Sequence, residues 1–169
     1  GKGAERGLLF KSSEALERAG RIKTVVLDKT GTITKGRPTV TDIVLNGAGF
    51  AESDVLRLAA SAEKGSEHPL AEAIVAAATE RGLAVGQLAG FQAIAGQGIT
   101  AQVDGREVLV GNLRMMEARG LALNGLELEV ARLQAEAKTA MIAAVDGEVA
   151  GVIAVADSIK DGSVEAIAE

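Results

Sequence analysis

Apolar residues along this chain fall in short blocks, some with the twofold repeat of a half-buried strand and some with the three-to-four repeat of a helix. Ser12-Ser13-Glu14 leads into Ala15-Leu16-Glu17-Arg18-Ala19 and closes on Gly20, which predicts a short capped helix. Ile22-Lys23-Thr24-Val25-Val26-Leu27 is mainly β-branched and apolar, and predicts a buried strand. Thr34-Lys35-Gly36-Arg37-Pro38 is basic and punctuated by Gly and Pro, so it reads as a linker at a domain boundary. Thr39 to Leu45 alternates as a strand, and Asn46 to Gly49 turns. Ser53 caps a helix that runs to about Glu63, and Pro69 suits the first turn of a second helix that Arg81-Gly82 ends.

In the second half, Phe91 to Ile94 and Ile99 to Val103 read as strands. Asp104-Gly105 is a hairpin signal joining the latter to Arg106–Val110. Two helices, near 112–119 and 125–138, precede a final hairpin turning at Asp146-Gly147. On the second of them Glu127, Glu129, Arg132, Glu136 and Lys138 form a solvated face. The middle is thus an α+β pattern of mostly antiparallel strands, while the ends carry strand–helix pieces of another kind. The pattern predicts one domain (37–150) inserted into another, whose parts are residues 1–36 and 151–169.

Composition narrows the function classes. With 169 residues and 47% apolar content, the chain can build real cores. A formal net charge of −5 argues against nucleic acid as a partner. The absence of cysteine removes disulfides and thiolate metal sites. Phe10, Phe50 and Phe91 are the only aromatics, so stacking platforms are scarce. The most apolar region, Ala140 to Ala156, is interrupted by Asp146-Gly147-Glu148, and nothing at the N-terminus resembles a signal peptide. A soluble chain with no membrane contact of its own is expected.

The sharpest chemical signal is Asp28-Lys29-Thr30-Gly31-Thr32. It puts Asp28 at the C-terminal end of a predicted strand, where open α/β sheets collect ligands. Gly31 frees the backbone to wrap amide N–H groups of Thr30 to Thr32 around an anion, with the cation of Lys29 alongside. Asp28 is therefore a candidate covalent phosphoryl acceptor. Thr30 stands where Asp-x-Asp phosphatases carry a general acid/base, so an acyl phosphate on Asp28 should be long-lived. Further along, Ser66-Glu67-His68-Pro69-Leu70 holds the sole histidine, Gly96-Gln97-Gly98-Ile99 follows a strand, and Gly111-Asn112 ends another. Each has an ordinary reading as well: a helix start, a tight turn and a helix cap. Asp157-Ser158-Ile159-Lys160 reads alone as a helix cap with a surface lysine.

Taken together and in this order, these motifs resemble the heavy-metal-transporting P-type ATPases over essentially the whole chain. The resemblance implies an α+β nucleotide-binding domain, a twisted antiparallel sheet flanked by helices, inserted in a truncated haloacid dehalogenase-like α/β phosphorylation domain. It implies ATP and Mg²⁺ as cofactors. Glu63 and His68 would contact adenine, Gly96 and Gly98 would line the phosphate or ribose side, and Gly111 and Asn112 would bind nearby. Ile99 would give apolar contact. Asp28 would accept the γ-phosphate beside Lys29 and Thr30, Asp28 and Thr30 would hold Mg²⁺, and Lys160 would steady phosphate charge. The family often has Arg directly after Gly-Asn; here Leu113 intervenes before Arg114, so no contact is carried over to that Arg.

The resemblance further implies a fragment of a pump on the cytoplasmic face of a membrane. Its partners would be ATP, the membrane helices, an actuator domain and the rest of the phosphorylation domain. Neither the Gly-Asp-Gly-x-Asn-Asp motif nor the Thr-Gly-Glu motif of the family occurs in this sequence, so little or no ATP turnover is expected from it. Val25, Val26 and Leu27 would then form an unpaired, adhesive edge. Surroundings of Glu14–Glu17 and Ser66–Leu70 look most like the copper branch, although monovalent and divalent pumps share the His-Pro signature. Two alternatives stand beside this reading: a haloacid dehalogenase-type phosphohydrolase, and a nucleotide-binding module without chemistry.

Overall fold

A computed structural model describes residues 5, 7, 9–47 and 49–168. Six strands form one fully antiparallel sheet: β1 (Thr34–Leu45), β2 (Leu88–Ile94), β3 (Gly98–Val103), β4 (Arg106–Gly111), β5 (Thr139–Val145) and β6 (Glu148–Ile159). Their spatial order is β1-β6-β5-β4-β3-β2, so every neighbouring pair except β1–β6 is consecutive in the chain. Asp104-Gly105 and Asp146-Gly147 turn the β3–β4 and β5–β6 hairpins, each pair with positive φ at both residues. That is the backbone such tight turns require, and Asp and Gly tolerate it.

The inner strands are buried on both faces. Along β6, Val149, Val152 and Ala154 enter one core while Ala150, Ile153 and Val155 enter the other. Helices α2 (Glu52–Glu63) and α3 (Pro69–Glu80) cover the second of these faces, and α4 (Leu113–Ala118) and α5 (Glu127–Ala135) cover the first. In α2, Val55, Leu56, Leu58, Ala59, Ala60 and Ala62 are all buried, because its alanines let it lie close to α3 and the sheet. The result is an antiparallel sheet with helices on both faces, the arrangement the resemblance implies for the nucleotide-binding domain.

Several local expectations hold. Helix α1 (Ser13–Ala19) is capped by Ser12, whose hydroxyl accepts from Ala15 N at 3.2 Å. Pro69 occupies the first turn of α3. Ser53, however, does not cap α2: the helix begins at Glu52 with Ala51 at the N-cap, and the Asp54 carboxylate accepts from Ala51 N. Helix α5 is shorter than the 125–138 expected from the sequence.

Two expectations fail. Residues 22–28 form no strand, and Val25, Val26 and Leu27 are exposed. Among the described residues no strand lies alongside them, so β-branched composition alone does not make a strand. Val25 and Leu27 instead line a shallow groove of about 510 Å³ with Thr32, Ile33, Ser163, Ala166 and Ile167, the last three at or in α6 (Ser163–Ala168). Second, the segment read as a linker, Thr34 to Pro38, lies inside β1 and bulges between the pairs Thr34–Ile159 and Pro38–Asp157. The bulge folds around the Asp157 carboxylate, which accepts from Gly36 N at 3.1 Å, Arg37 N at 3.2 Å and the Thr34 hydroxyl at 2.5 Å.

Gly98 and Gly111 face each other across β3 and β4. A methyl group on Gly98 would lie 2.2 Å from the Val110 carbonyl oxygen and 2.9 Å from Met115 Sδ. Gly98→Ala is expected to lower stability by about 2 kcal/mol or more. Gly20→Ala, at the right-handed end of α1 with its nearest neighbour 3.6 Å away, should change it by less than about 1 kcal/mol. Urea unfolding midpoints of the two variants check the difference.

Candidate functional site

One edge of the sheet opens into a cleft of about 440 Å³, within the range of small-ligand sites. Its walls are the end of β2, the β2–β3 turn, the end of β4 and the start of β5, closed by the C-terminal end of α2 and the N-terminal end of α3. All seven residues singled out for nucleotide binding line it: Glu63, His68, Gly96, Gly98, Ile99, Gly111 and Asn112. Ser66, Gln97, Thr139 and Met141 line it too. Ser66 and Gln97 sit inside the motifs that pointed here. Thr139 and Met141 carry no local signal, since only the pairing of β5 with β4 brings them to the cleft.

His68 is the N-cap of α3, with Nδ1 accepting from Leu70 N at 3.2 Å. The Nδ1 lone pair is thereby engaged, which puts the ring proton on Nε2 and makes that atom a donor. The side chain is exposed at the cleft. Both the structural and the binding reading of this histidine are thus compatible in one geometry.

Asn112 is committed at every polar atom. Its Oδ1 caps α4 by accepting from Met115 N at 3.2 Å, its Nδ2 donates to Gly96 O at 2.8 Å, and its backbone N donates to Gln97 O at 2.8 Å. These bonds pin the β2–β3 turn, in which Gly96 takes φ +68 with nothing within 4 Å of its missing side chain. Gly98 and Gly111 serve packing: Met115 Sδ would lie 2.4 Å from a methyl group on Gly111. Of these three glycines, Gly96 alone has open space where a side chain would stand.

Glu63 ends α2 and is 3% exposed. Burial pushes its carboxyl up to about 7, opposed by a hydrogen bond from the Ser66 side chain. A carboxyl poised near neutrality in a cleft is a mark of a functional group.

The Asp28 loop lies elsewhere, at the start of β1. Asp28 is exposed, and Thr30 (φ −79, ψ 120) and Gly31 (φ +79, ψ −12) form the centre of a type II turn. Gly31 is there because the third position of that turn needs positive φ. Its N–H donates to the Thr34 hydroxyl at 3.3 Å, so this amide is committed within the loop and does not wrap outward as expected. Lys160 Nζ donates to Gly31 O at 2.5 Å, and Lys160 N and Ser163 Oγ both donate to Ile33 O. Lys160 is therefore held against the loop that carries Asp28. Asp28 and Thr30 offer hard oxygen donors of the kind Mg²⁺ takes. Among the described residues no three His, Asp or Glu side chains cluster as a metal site.

Residues 22–169 match the family model of haloacid dehalogenase-like hydrolases. The chain is 51% identical over 171 residues to the probable copper-exporting P-type ATPase of Archaeoglobus fulgidus, covering 100% of this chain and 20% of that protein. Among solved structures, a zinc-transporting PIB-type ATPase in its E2.Pi state superposes with a TM-score of 0.87 at 36% identity, over 98% of this chain and 26% of the other. The N-domain of a copper-transporting P-type ATPase matches at TM-score 0.58 and 30% identity, over 70% of this chain and 99% of that one. The chain spans about a fifth of the length of the curated relatives it matches.

Burial of Glu63 has a measurable signature. Its folded value, about 7, exceeds the ordinary 4.5, so the folded state holds the proton more tightly. The stability this contributes is fully present below about pH 4.5 and is lost as pH rises through 7. Glu63→Gln should remove this part of the pH dependence, flattening stability between those limits. Urea unfolding at matched pH values, wild type against variant, reads it directly.

Proposed function

Since the chain belongs to the haloacid dehalogenase-like hydrolase family, in its P-type ATPase branch, we propose that it binds ATP in the cleft and presents Asp28 as the phosphoryl acceptor of a heavy-metal pump. The observation that carries this is the convergence on one cleft of Glu63, from the end of α2, with His68, Gly96 and Ile99 from two separate motifs. In this reading the base lies between Glu63, His68 and Ile99, and the phosphates pass over the open backbone at Gly96. With no Trp or Tyr in the chain, the imidazole of His68 is the planar group at hand. Asn112 positions the β2–β3 turn.

The phosphoryl step belongs to the longer protein. An Asp28 carboxylate oxygen forms a bond to the γ-phosphorus as the bridging oxygen to the β-phosphate departs with ADP, leaving an acyl phosphate. Lys160, anchored on Gly31 O, contributes positive charge beside the loop. Asp28 and Thr30 would hold Mg²⁺ in part through their oxygens, and the ion would supply positive charge against the phosphates. Thr30 lacks the acid/base needed to hasten hydrolysis, so the acyl phosphate can outlast the chemical step.

The pump would lie in a membrane with this part on the cytoplasmic side, joined to membrane helices, an actuator domain and the rest of the phosphorylation domain. Copper export is the reading favoured by the names of the curated relatives, the zinc-transporting structure being the counterweight. No helix among the described residues is long and apolar enough to cross a membrane.

ATP titration followed by amide NMR tests the binding half. Shifts should cluster at 63–68, 96–99 and 111–112, and His68→Ala should weaken binding by roughly tenfold, about the worth of one hydrogen bond and ring contact. Asp28→Ala should leave affinity within about twofold while turnover stays negligible in both proteins. Equal binding without His68 would remove it from the site.

A further inference from the structure

Glu63 is the chemically unusual group of the cleft. It is buried, its carboxyl is hydrogen-bonded by the Ser66 side chain, and it shares the cleft with His68 and the apolar chains of Leu70, Ala71 and Ile94. Among the described residues lining the cleft, Glu63 and His68 are the only titratable ones, and none is Lys or Arg. Lys64, the next residue in the chain, is exposed. A ligand entering the cleft would displace water and desolvate the carboxyl further.

We propose that Glu63 reads the adenine edge as a neutral carboxyl, donating its proton to ring N1 and accepting from the N6 amino group, so that base preference varies with pH. The proposal rests on the assignment of the cleft to ATP. Adenine offers one acceptor and one donor on this edge. A neutral carboxyl offers the matching donor and acceptor, whereas a carboxylate accepts only and sets a lone pair against that of N1. Guanine differs: its N1–H and N2 amino group are both donors, which a carboxylate satisfies, and its O6 and N1–H satisfy the neutral form equally well. Raising the pH should thus penalise adenine and spare guanine. Burial already holds the empty-cleft carboxyl at about 7, so the exchange falls in an accessible range.

The test is calorimetric titration of the wild-type chain and of Glu63→Gln with Mg-ATP and Mg-GTP at pH 6.5 and pH 8. Gln carries a donor and an acceptor at every pH, and so fixes the neutral pattern. Wild-type affinity for ATP should fall roughly tenfold between the two pH values, as expected for loss of a required proton. Affinity for GTP should change by less than about twofold, and Glu63→Gln should bind ATP with little dependence on pH. Titration of the nucleotide phosphates affects both proteins alike and cancels in the comparison. Wild-type ATP binding that parallels the variant at both pH values, or strengthens with pH, overturns the proposal. Should the variant not fold, the ¹³C shift of the Glu63 carboxyl in the wild type decides: a midpoint raised by adenosine supports the proposal and a lowered one refutes it. ATP that leaves the cleft amides unmoved at both pH values refutes the ATP assignment itself, and this inference with it.

Discussion

Met115 lies where the side chains of Gly98 and Gly111 would otherwise be, and the form of the cleft depends on that close approach. Because the two glycines face each other across β3 and β4, the first turn of α4 can settle directly on the strands. That brings Asn112 to the helix start with its amide over the β2–β3 turn, where it holds Gly96 and Gln97 by their carbonyls. A bulkier residue at either glycine would lift α4, and with it the cap and the turn. The cleft is thus set by backbone contact and small residues, with few polar groups added at its rim.

The same sheet links the cleft to the Asp28 loop. Strands β1 and β6, twelve residues each, start or end at that loop, β1 as the sheet's outer strand and β6 as its neighbour. At the loop end they are locked by Asp157, whose three donors come from the β1 bulge, while Lys160 and Ser163 fasten to loop carbonyls. The Thr34 hydroxyl mediates: it donates to Asp157, its shorter contact, and accepts from Gly31 N. Charge-assisted bonds of this kind hold a short loop more firmly than neutral ones.

Much of this could be read from the chain, for specific reasons. Asp104-Gly105 and Asp146-Gly147 fix their hairpins through local backbone preference, so the central strands followed. The cleft motifs were legible because a His-Pro helix start and paired glycines leave local marks. Residues 22–28 misled because β-branched composition reports suitability for a sheet and not the presence of a partner. Gly36 and Pro38 looked like a linker because a bulge uses the same residues. Thr139, Met141 and the Asp157 lock were hidden, since each depends on pairing across long sequence separations. The packing of Met115 against Gly98 and Gly111 leaves no local mark in the sequence, since it depends on α4 settling over two paired strands.

The chain enters and leaves the sheet side by side, Thr34 being paired with Ile159. A unit held at two adjacent points imposes no span on whatever holds it, since neighbouring antiparallel strands keep the same separation of about 5 Å whatever is threaded between them. Lengthening a helix or dropping a hairpin within that unit leaves its mooring points in place. The residues that line the cleft can therefore change, or a whole hairpin be exchanged, while the backbone around the Asp28 loop keeps its geometry.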